Sequence, residues 1–458
     1  MSTAPTSPRR AGAPTTLPRH LPLALRLVFG LGGLVLGGTL LLLLPGVSTH
    51  PLHIQEAMFT AVSALTVTGL SVINIPTDLT PFGQSLLAVL IQTGGIGFLS
   101  LTVLIFRLLG RRIPLLDRYA LRNAIGAVSP AGVMHVFTRV LISVLIIESI
   151  GALLLWLRWR AWMDNDAQAL GMAIFHSISA FCNAGFDLFT GSPAYPEGLP
   201  TDSITLAILS ALIIIGGLGA PVIADLLSLW KDRKLMLHTR ITLVIILLLL
   251  IVGWVGIFAA ESLQGSATSA HWPDRLGGAL FMSVAARTAG FSTGPGFTGL
   301  TPASQFLVTL LMFIGAAPAS MGGGITTGTA AALAVAVVSY VRNRPNPEVG
   351  GRTIASGNVQ RATAVLVISL LVVTMATWLL LVSHPGTTLV TALFEVVSAF
   401  ATCGLSLAFT GQLNVFGQVV IMFVMFWGRL GALTVVVALA RPNPPALVNY
   451  PEEQILIG

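Results

Sequence analysis

The chain contains the stretch Phe59-Thr-Ala-Val-Ser-Ala-Leu-Thr-Val-Thr-Gly69-Leu-Ser, a short apolar segment that ends in small polar residues and a glycine. The four glycines that end this pattern are 116, 105 and 114 residues apart, which indicates a repeat of whole modules. We therefore predict four covalently linked quarters that build one pore. The other copies are Phe175-His-Ser-Ile-Ser-Ala-Phe-Cys-Asn-Ala-Gly185-Phe-Asp, Leu280-Phe-Met-Ser-Val-Ala-Ala-Arg-Thr-Ala-Gly290-Phe-Ser and Phe394-Glu-Val-Val-Ser-Ala-Phe-Ala-Thr-Cys-Gly404-Leu-Ser.

The composition indicates a membrane protein. Of the 458 residues, 54% are hydrophobic and 9% are charged, whereas about a quarter of the residues of a soluble domain are charged. A glycine copy lies between the members of each successive pair of long apolar runs. We predict an all-α integral membrane protein with four M1–pore loop–M2 repeats, that is, eight transmembrane helices and four re-entrant half-helices around a single pseudo-fourfold pore. The predicted spans are 23–44, 83–106, 137–157, 204–227, 241–260, 304–339, 363–382 and 416–440.

The basic residues predict how these spans are oriented, because Lys and Arg concentrate in cytoplasmic loops. With both termini and the three loops between repeats inside, 19 of the 24 basic residues lie on the cytoplasmic side. The net charge of +7 then follows from membrane orientation and does not indicate nucleic-acid binding. We predict a multi-pass protein of the bacterial cytoplasmic (inner) membrane, embedded in lipid, with cytoplasmic N- and C-termini.

The repeats also divide the chain into segments. The first and last segments are predicted to be cytoplasmic tails. The predicted segments are the N-terminal tail 1–22, repeat 1 at 23–110, repeat 2 at 111–230, repeat 3 at 231–342, repeat 4 at 343–441 and the C-terminal tail 442–458.

The four half-length helices predict an ion filter. A half-length helix leaves polar backbone in lipid unless it is buried in protein or faces water, so we expect each to re-enter and its loop to return extended toward the outer surface. Glycine permits a positive φ where the backbone turns its carbonyls toward an axis, and rings of carbonyl oxygens replace the hydration shell of an alkali cation. The predicted filter residues are Val67, Thr68, Gly69, Leu70, Asn183, Ala184, Gly185, Phe186, Thr288, Ala289, Gly290, Phe291, Thr402, Cys403, Gly404 and Leu405.

A broken helix is predicted below the filter. The apolar run from Pro302 to Tyr340 is longer than one crossing requires, and its middle contains a proline and three consecutive glycines, which disfavour helix. Non-helical backbone at this depth is tolerated where it lines a wet cavity, so we predict a mobile polar loop at about 315–329 in the path beneath the filter; a simple packing kink is the alternative. The candidate functional residues of this loop, which the family resemblance described below makes gate residues, are Gly315, Pro318, Ser320, Gly322, Gly323, Gly324, Thr326 and Thr327.

Two buried arginines are candidate functional residues. Arg429 lies in the middle of a predicted span, where a charge is functional by default; a structural ion pair with Glu148 or Asp225 is the alternative. Arg287 precedes the third filter glycine, where a cation facing the pore would repel cations. We expect it to point behind the filter toward a carboxylate such as Glu395.

Other polar residues near the filter allow simpler interpretations. Asp187 either raises the local cation concentration at the mouth or caps the following turn, and His176 is predicted to be a packed polar residue. Cys182 and Cys403 lack the partners for a disulfide or metal site, so we expect them to pack as small apolar residues. The glycines at 94, 95, 97, 216, 217 and 219 are expected to permit close helix packing.

The loop sequences Thr66-Val-Thr-Gly-Leu70, Asn183-Ala-Gly-Phe-Asp187, Arg287-Thr-Ala-Gly-Phe291 and Thr402-Cys-Gly-Leu-Ser406 resemble the four pore loops of the Trk/Ktr/HKT superfamily of potassium transporters. The resemblance covers roughly residues 23–458, and the C-terminal sequence is more similar to the KtrB-type than to the TrkH-type members. With all four glycines present, it implies potassium selectivity. It also implies that 315–329 is the intramembrane gate loop and that Arg429 faces it.

The same resemblance implies partners. It implies a homodimer in which the extreme C-terminus takes part, and a cytoplasmic, KtrA-like ring of nucleotide-binding regulatory subunits on the basic inner face. The predicted docking surface is formed by the loops 107–136, 228–240 and 341–362.

Other function classes are less compatible with the sequence. It contains no phosphate-binding loop, nucleophile elbow or metal-spaced His/Cys cluster, so we predict no enzyme activity and no cofactor, with potassium as substrate and sodium as a candidate activating ion. A sodium-coupled or sodium/potassium secondary carrier of the Trk/HKT type is the alternative. A rocking secondary carrier is a further rival, although such carriers usually show two repeats. A non-transport membrane scaffold is a more distant alternative.

Overall fold

A computed structural model describes residues 23–97, 133–264, 272–293, 296–344 and 346–431. Both predicted tails and most of the loop 107–136 lie outside these residues. The described helices are α1 (Leu23–Leu42), α2 (Ile54–Thr66), α3 (Ile75–Asp78), α4 (Pro81–Ile96), α5 (Val133–Trp159), α6 (Asp166–Phe181), α7 (Ser203–Gly217), α8 (Ala220–Asp232), α9 (Leu237–Leu263), α10 (Trp272–Ala285), α11 (Pro302–Phe313), α12 (Thr327–Val341), α13 (Ser356–Ser383), α14 (Leu389–Phe400) and α15 (Val415–Leu430).

Three minor elements complete the described part. Short 3-10 turns occupy Gly296–Gly299 and Thr410–Gln412. The two-residue strands β1 (Glu348–Val349) and β2 (Arg352–Thr353) pair antiparallel in the loop before α13. The sequence analysis did not predict this hairpin, because two-residue strands leave no alternation to detect.

Long apolar helices make this a predominantly helical, multi-pass membrane protein. Among the described residues, four helices are long and apolar enough to cross a bilayer: α1, α5, α9 and α13. Each begins one of the predicted repeats. The shorter α4 and α15 end where the described ranges end, so the total of eight spans stays a prediction.

In each repeat, the helix that begins the second predicted span starts with the same kind of cap. These helices are α4, α7, α11 and α15. A side-chain oxygen accepts a hydrogen bond from the backbone N–H three residues on, which satisfies one of the free donors at a helix start. In α4, α11 and α15 a glutamine four residues after the cap also donates to the carbonyl of the leucine before the cap. The capping residues are Thr80, Asp202, Thr301 and Asn414.

The repeats pack against one another in a closed order. In each repeat, the helix that begins the second predicted span contacts the half-helix of the next repeat. Thus α4 contacts α6, α7 contacts α10, α11 contacts α14, and α15 returns to contact α2. The half-helices contribute many of the fully buried aromatic side chains, including Phe59, Phe181, Phe281 and Phe400. The four half-helices therefore lie at the centre and the long helices α1, α5, α9 and α13 outside them.

The second helix of repeat 2 differs from its prediction. The apolar run 204–227 is not one continuous helix, because α7 ends at Gly217, α8 begins at Ala220 and the two helices meet at an angle of 101°. Gly219 adopts a φ of +82° at the bend, a conformation that glycine takes without a steric penalty. Gly219 therefore forms a bend and packs closely against the gate loop, where a Cβ would lie 2.6 Å from the Pro318 carbonyl oxygen, and does not join two helices; at Gly97, with φ +84°, a Cβ would meet no atom of the described residues within 4 Å.

Close packing does explain Gly94. A Cβ atom on Gly94 would lie 2.7 Å from the carbonyl carbon of Leu65, at the C-terminal end of half-helix α2. Gly216 and Gly428 make the equivalent approach to the carbonyls of Phe181 and Phe400. The second helices of repeats 1, 2 and 4 thus support the C-terminal ends of the half-helices through glycine.

We expect Gly94→Ala to destabilise the protein by about 1–3 kcal/mol, because added volume against rigid backbone forces the helices apart. The matched control is Gly37→Ala, since Gly37 also lies within a helix but a Cβ there would meet nothing within 4 Å. Thermal unfolding of the detergent-solubilised protein measures both. A melting temperature for Gly94→Ala equal to that of Gly37→Ala would contradict the packing role.

Candidate ion filter and gate loop

The four predicted filter loops share one backbone conformation. Each glycine has a positive φ, namely 93° at Gly69, 69° at Gly185, 75° at Gly290 and 88° at Gly404. The residue two positions earlier is also left-handed, which the sequence analysis missed. These residues are Val67 (φ 58°), Asn183 (φ 57°), Thr288 (φ 70°) and Thr402 (φ 48°).

The prediction of loops that simply return extended was therefore wrong at these positions. Left-handed backbone is rare for residues other than glycine and a genuine outlier for a β-branched residue such as Val67. Such strain persists only where the surrounding structure holds it and tends to occur at functional sites. Two left-handed residues per loop reverse the chain in a short distance at the end of each half-helix.

The four glycines lie next to one another in a ring. A Cβ atom on Gly185 would lie 2.7 Å from Gly290 Cα and 2.8 Å from the carbonyl oxygen of Ala289. A Cβ on Gly290 would approach the carbonyl of Cys403, one on Gly404 would approach that of Thr68, and one on Gly69 would approach that of Ala184. Each glycine thus faces the carbonyl that precedes the glycine of the next loop, and the fourth loop returns to the first.

The serines six residues before the glycines support two of the loops. Ser63 Oγ accepts a hydrogen bond from Gly69 N at 3.0 Å, and Ser179 Oγ donates to the Phe186 carbonyl at 2.8 Å. Ser398 Oγ is buried without a hydrogen-bond partner among the described residues, and the third loop has Val284 at this place. The quarters therefore share a backbone but differ in the polar groups behind it.

A buried pair lies beside the second loop. His176 Nε2 is 2.8 Å from Asp187 Oδ1, and His176 Nδ1 is 2.7 Å from the Met172 carbonyl. Asp187 also accepts from the backbone N–H groups of Phe189 and Thr190. His176 is thus a packed polar residue and Asp187 caps the following turn, which leaves its predicted influence on cations at the mouth untested.

The helix break predicted in repeat 3 lies at 314–326. α11 ends at Phe313, and α12 begins at Thr327 because Thr326 Oγ1 accepts from Thr329 N. The break therefore ends three residues earlier than the predicted 329, and Thr327 belongs to the helix. Ile314 and Ile325 form a parallel bridge that brings the two ends of the gate loop together.

The gate loop contacts the third and fourth filter loops directly. Gly323 N donates to Thr402 Oγ1 at 2.8 Å, and a Cβ on Gly322 would lie 2.9 Å from Thr288 Cβ. Thr288 and Thr402 are the left-handed residues of those loops. The non-helical backbone of the break therefore lies against residues of the third and fourth filter loops.

Arg429 contacts the gate loop through its guanidinium group. Its Nη1 donates to the Met321 carbonyl, and its Nη2 donates to the carbonyls of Gly94 and Gly95 at the end of α4. The alternative of an ion pair is wrong: Glu148 accepts instead from Gln92 Nε2 at 3.0 Å. The other proposed partner, Asp225, accepts from Met236 N.

Arg287 has a different partner from the one predicted. It donates to the carbonyls of Ile314 at 2.6 Å and Gly315 at 3.0 Å, at the beginning of the gate loop. Glu395 accepts hydrogen bonds from Ser406 and Thr410. The pairing with Glu395 was therefore wrong, because free carbonyls at a helix break are acceptors that a sequence does not display.

A cavity of about 460 Å³ lies beneath the filter. The gate loop, Arg429 and the glycine-rich end of α4 line it, together with Leu65 at the end of α2. Most of the predicted gate residues therefore surround one space.

The two cysteines serve packing, as predicted. Cys182 and Cys403 are both buried and free. A Cβ on Gly95 would lie 2.6 Å from Cys182 Sγ, so this thiol packs against the end of α4.

These helices and loops define a class of membrane protein in which half-helices end in neighbouring glycine loops. The family model for the cation transport protein TrkH matches residues 34–447. The chain belongs to this family of cation transport proteins, and the family prediction is confirmed.

Curated relatives and a solved structure agree with this assignment. The chain is 36% identical over 433 residues to the Ktr system potassium uptake protein B of Vibrio alginolyticus, covering 93% of each chain. It is 34% identical to the potassium/sodium uptake protein NtpJ of Enterococcus hirae, covering 93% of this chain and 95% of that one. The fold is similar to the crystal structure of the potassium transporter TrkH from Vibrio parahaemolyticus, with a TM-score of 0.70 and 23% identity over 91% of this chain and 84% of that chain.

Proposed function

We propose that this chain is the potassium-translocating pore subunit of a bacterial potassium uptake system. The observation that carries the proposal is the closed ring in which each filter glycine faces the backbone carbonyl of the next loop. Family membership and the names of the relatives support the choice of potassium. The protein moves an ion and catalyses no reaction.

The proposed selectivity comes from backbone oxygen. Rings of carbonyls from the four loops replace the water of a dehydrated potassium ion, in one pore with pseudo-fourfold symmetry. The C-terminal ends of the four half-helices add negative dipole ends that favour a cation in the cavity below. The filter residues are those of the four loops, 67–70, 183–186, 288–291 and 402–405.

The proposed gate is the loop 314–326 with Arg429. In the closed state the loop occupies the path beneath the filter, and the guanidinium group adds a positive barrier to cations. Its hydrogen bonds to Met321 and to the end of α4 support this assignment. The gate opens when the loop leaves this position.

The proposed environment is the bacterial inner membrane with both termini inside. The proposed assembly is a homodimer with a cytoplasmic ring of nucleotide-binding regulatory subunits. The exposed basic residues Arg233, Lys234 and Arg352 support a docking surface for that ring in the loops 228–240 and 341–362.

A sodium-coupled or sodium/potassium carrier is the second candidate function. The name of the relative from Enterococcus hirae, a potassium/sodium uptake protein, favours it. The two candidates differ in whether potassium flux needs sodium on the same side of the membrane.

Reconstitution tests both candidates. We expect purified native chain in liposomes to accumulate the potassium tracer rubidium-86 down its gradient without sodium, while protein-free liposomes remain empty. Expression in a bacterium that lacks potassium uptake should restore growth at low potassium when a regulatory subunit is present. Uptake that requires sodium would favour the carrier, and verified expression with neither uptake nor growth would refute transport.

A further inference from the structure

The bend between α7 and α8 contacts the gate loop of a different repeat. At a helix break, backbone N–H and C=O groups lose their helical partners and need others when buried. The Gly217 carbonyl accepts from Ala317 N at 3.2 Å, and Ala220 N donates to the Ala319 carbonyl at 3.1 Å. Two non-helical segments, one from repeat 2 and one from repeat 3, therefore satisfy each other.

Gly219 permits this contact. Its φ of +82° directs α8 away from α7, and a Cβ atom there would lie 2.6 Å from the Pro318 carbonyl. That carbonyl belongs to backbone, so it cannot move aside as a flexible side chain would. Any residue other than glycine at position 219 would therefore have two effects: it would strain the bend, and it would displace the gate loop.

Among the described residues, α8 packs mainly against α9 and α5. Leu218, Val222 and Ile223 form a small hydrophobic cluster with Ile246 of α9, separate from the main core. Near its middle, Asp225 accepts from the backbone N–H of Met236, at the start of α9. A helix held by a small separate cluster can move without opening the main core.

The far end of α8 reaches a basic loop. The helix ends at Asp232, Arg233 adopts a left-handed conformation as its cap, and both Arg233 and Lys234 are exposed. With 13 residues, α8 spans about 20 Å at 1.5 Å per residue. One rigid helix thus joins the exposed loop 233–236 to the gate loop.

We propose that Gly219 is a positioning residue for the gate loop, and that α8 carries movement of the loop 233–236 to the gate through the backbone hydrogen bonds at Ala317 and Ala319. This inference rests on the proposed function, since it concerns how the gate is held. It assigns a role in gating to the broken helix of repeat 2, in addition to the residues of repeat 3 and Arg429.

Gly219→Ala tests the proposal in the reconstituted native-length chain. The added strain and the clash disfavour the gate loop in its contact with the bend. We therefore expect the ratio of molecules with a docked gate loop to molecules with a released one to fall by about tenfold, and rubidium-86 flux to rise several-fold. The preference for potassium over sodium should not change, because the filter is intact. The control is Gly46→Ala, which has a similar φ of +88° but nothing within 4 Å and lies outside the gate.

Ala220→Pro is a second variant that adds no left-handed residue. It replaces the N–H that donates to Ala319 with the Cδ of the proline ring, at the first position of a helix, where proline is tolerated. Hydrogen exchange followed by mass spectrometry then reports on residues 314–326 independently of transport. Faster exchange there in Gly219→Ala or Ala220→Pro, with native exchange in Gly46→Ala, is the expected result.

The two readouts separate the proposals. Native chain that conducts, with folded variants that match it in flux and exchange, would overturn the role of Gly219 and α8 alone. Native chain that does not conduct would refute the proposed function, and the exchange rates would still decide whether the bend holds the loop.

Discussion

Gly290→Ser should reduce the preference for potassium over sodium by about tenfold or more. A Cβ atom at this position would lie 2.9 Å from Gly185 Cα, and the residue has a φ of 75°. A left-handed residue with a side chain is strained by about 1–2 kcal/mol, and the neighbouring backbone must also retreat. Because 1.4 kcal/mol corresponds to about a factor of ten, even a small widening of the ring changes the balance between the two ions.

The measurement is competition between rubidium-86 and sodium-22 uptake in liposomes. Gly296→Ser is the matched control, since Gly296 has a φ of 69° after the same filter loop but a Cβ there would meet nothing within 4 Å. We expect this control to keep the native preference. An unchanged preference in Gly290→Ser would remove the third loop from the filter.

Deletion of residues 317–325 should give the largest increase in flux. This deletion removes the loop that hydrogen-bonds Thr402 and Arg429 beneath the filter. The barrier of backbone in the path is then absent, so flux should no longer depend on a regulatory partner. Rubidium-86 uptake at fixed protein density measures the change.

Arg429→Gln gives a graded version of the same test. Hydrogen bonds from a charged group contribute about 1.5–3 kcal/mol each, so loss of the guanidinium group should release the loop and raise flux by about tenfold or more. Arg158→Gln is the control, because Arg158 Nε pairs with Asp202 Oδ2 at 2.8 Å. This ion pair is distant from the gate loop in the sequence and does not involve that loop. Flux equal to native in both the deletion and Arg429→Gln would refute the gate.

The repeated glycines allowed the sequence to predict the family and the location of the four glycine loops. A glycine with positive φ leaves a sequence signal, and four in register between apolar runs identify the loops. The left-handed Val67 leaves no such signal, because a β-branched residue normally avoids this conformation. Only contacts with the rest of the fold hold it there.

The contacts of the gate depend on tertiary structure in the same way. The run 204–227 is predominantly apolar and predicts one span, and its bend at Gly219 forms where backbone groups of the gate loop replace the lost helical hydrogen bonds. Arg287 was expected to seek a carboxylate, yet it binds the carbonyls of Ile314 and Gly315, which are free only because α11 ends there. The positions of these residues were predictable, whereas their partners were not.

The most direct test of the central claim is a high-resolution electron-microscopy map of the protein in lipid nanodiscs, recorded in potassium and again in sodium. We predict density for an ion at the centre of the four loops in potassium, surrounded by backbone carbonyls of the residues that precede Gly69, Gly185, Gly290 and Gly404, and weaker density there in sodium. Loops that diverge from a common centre, or a centre without ion density in potassium, would contradict the account.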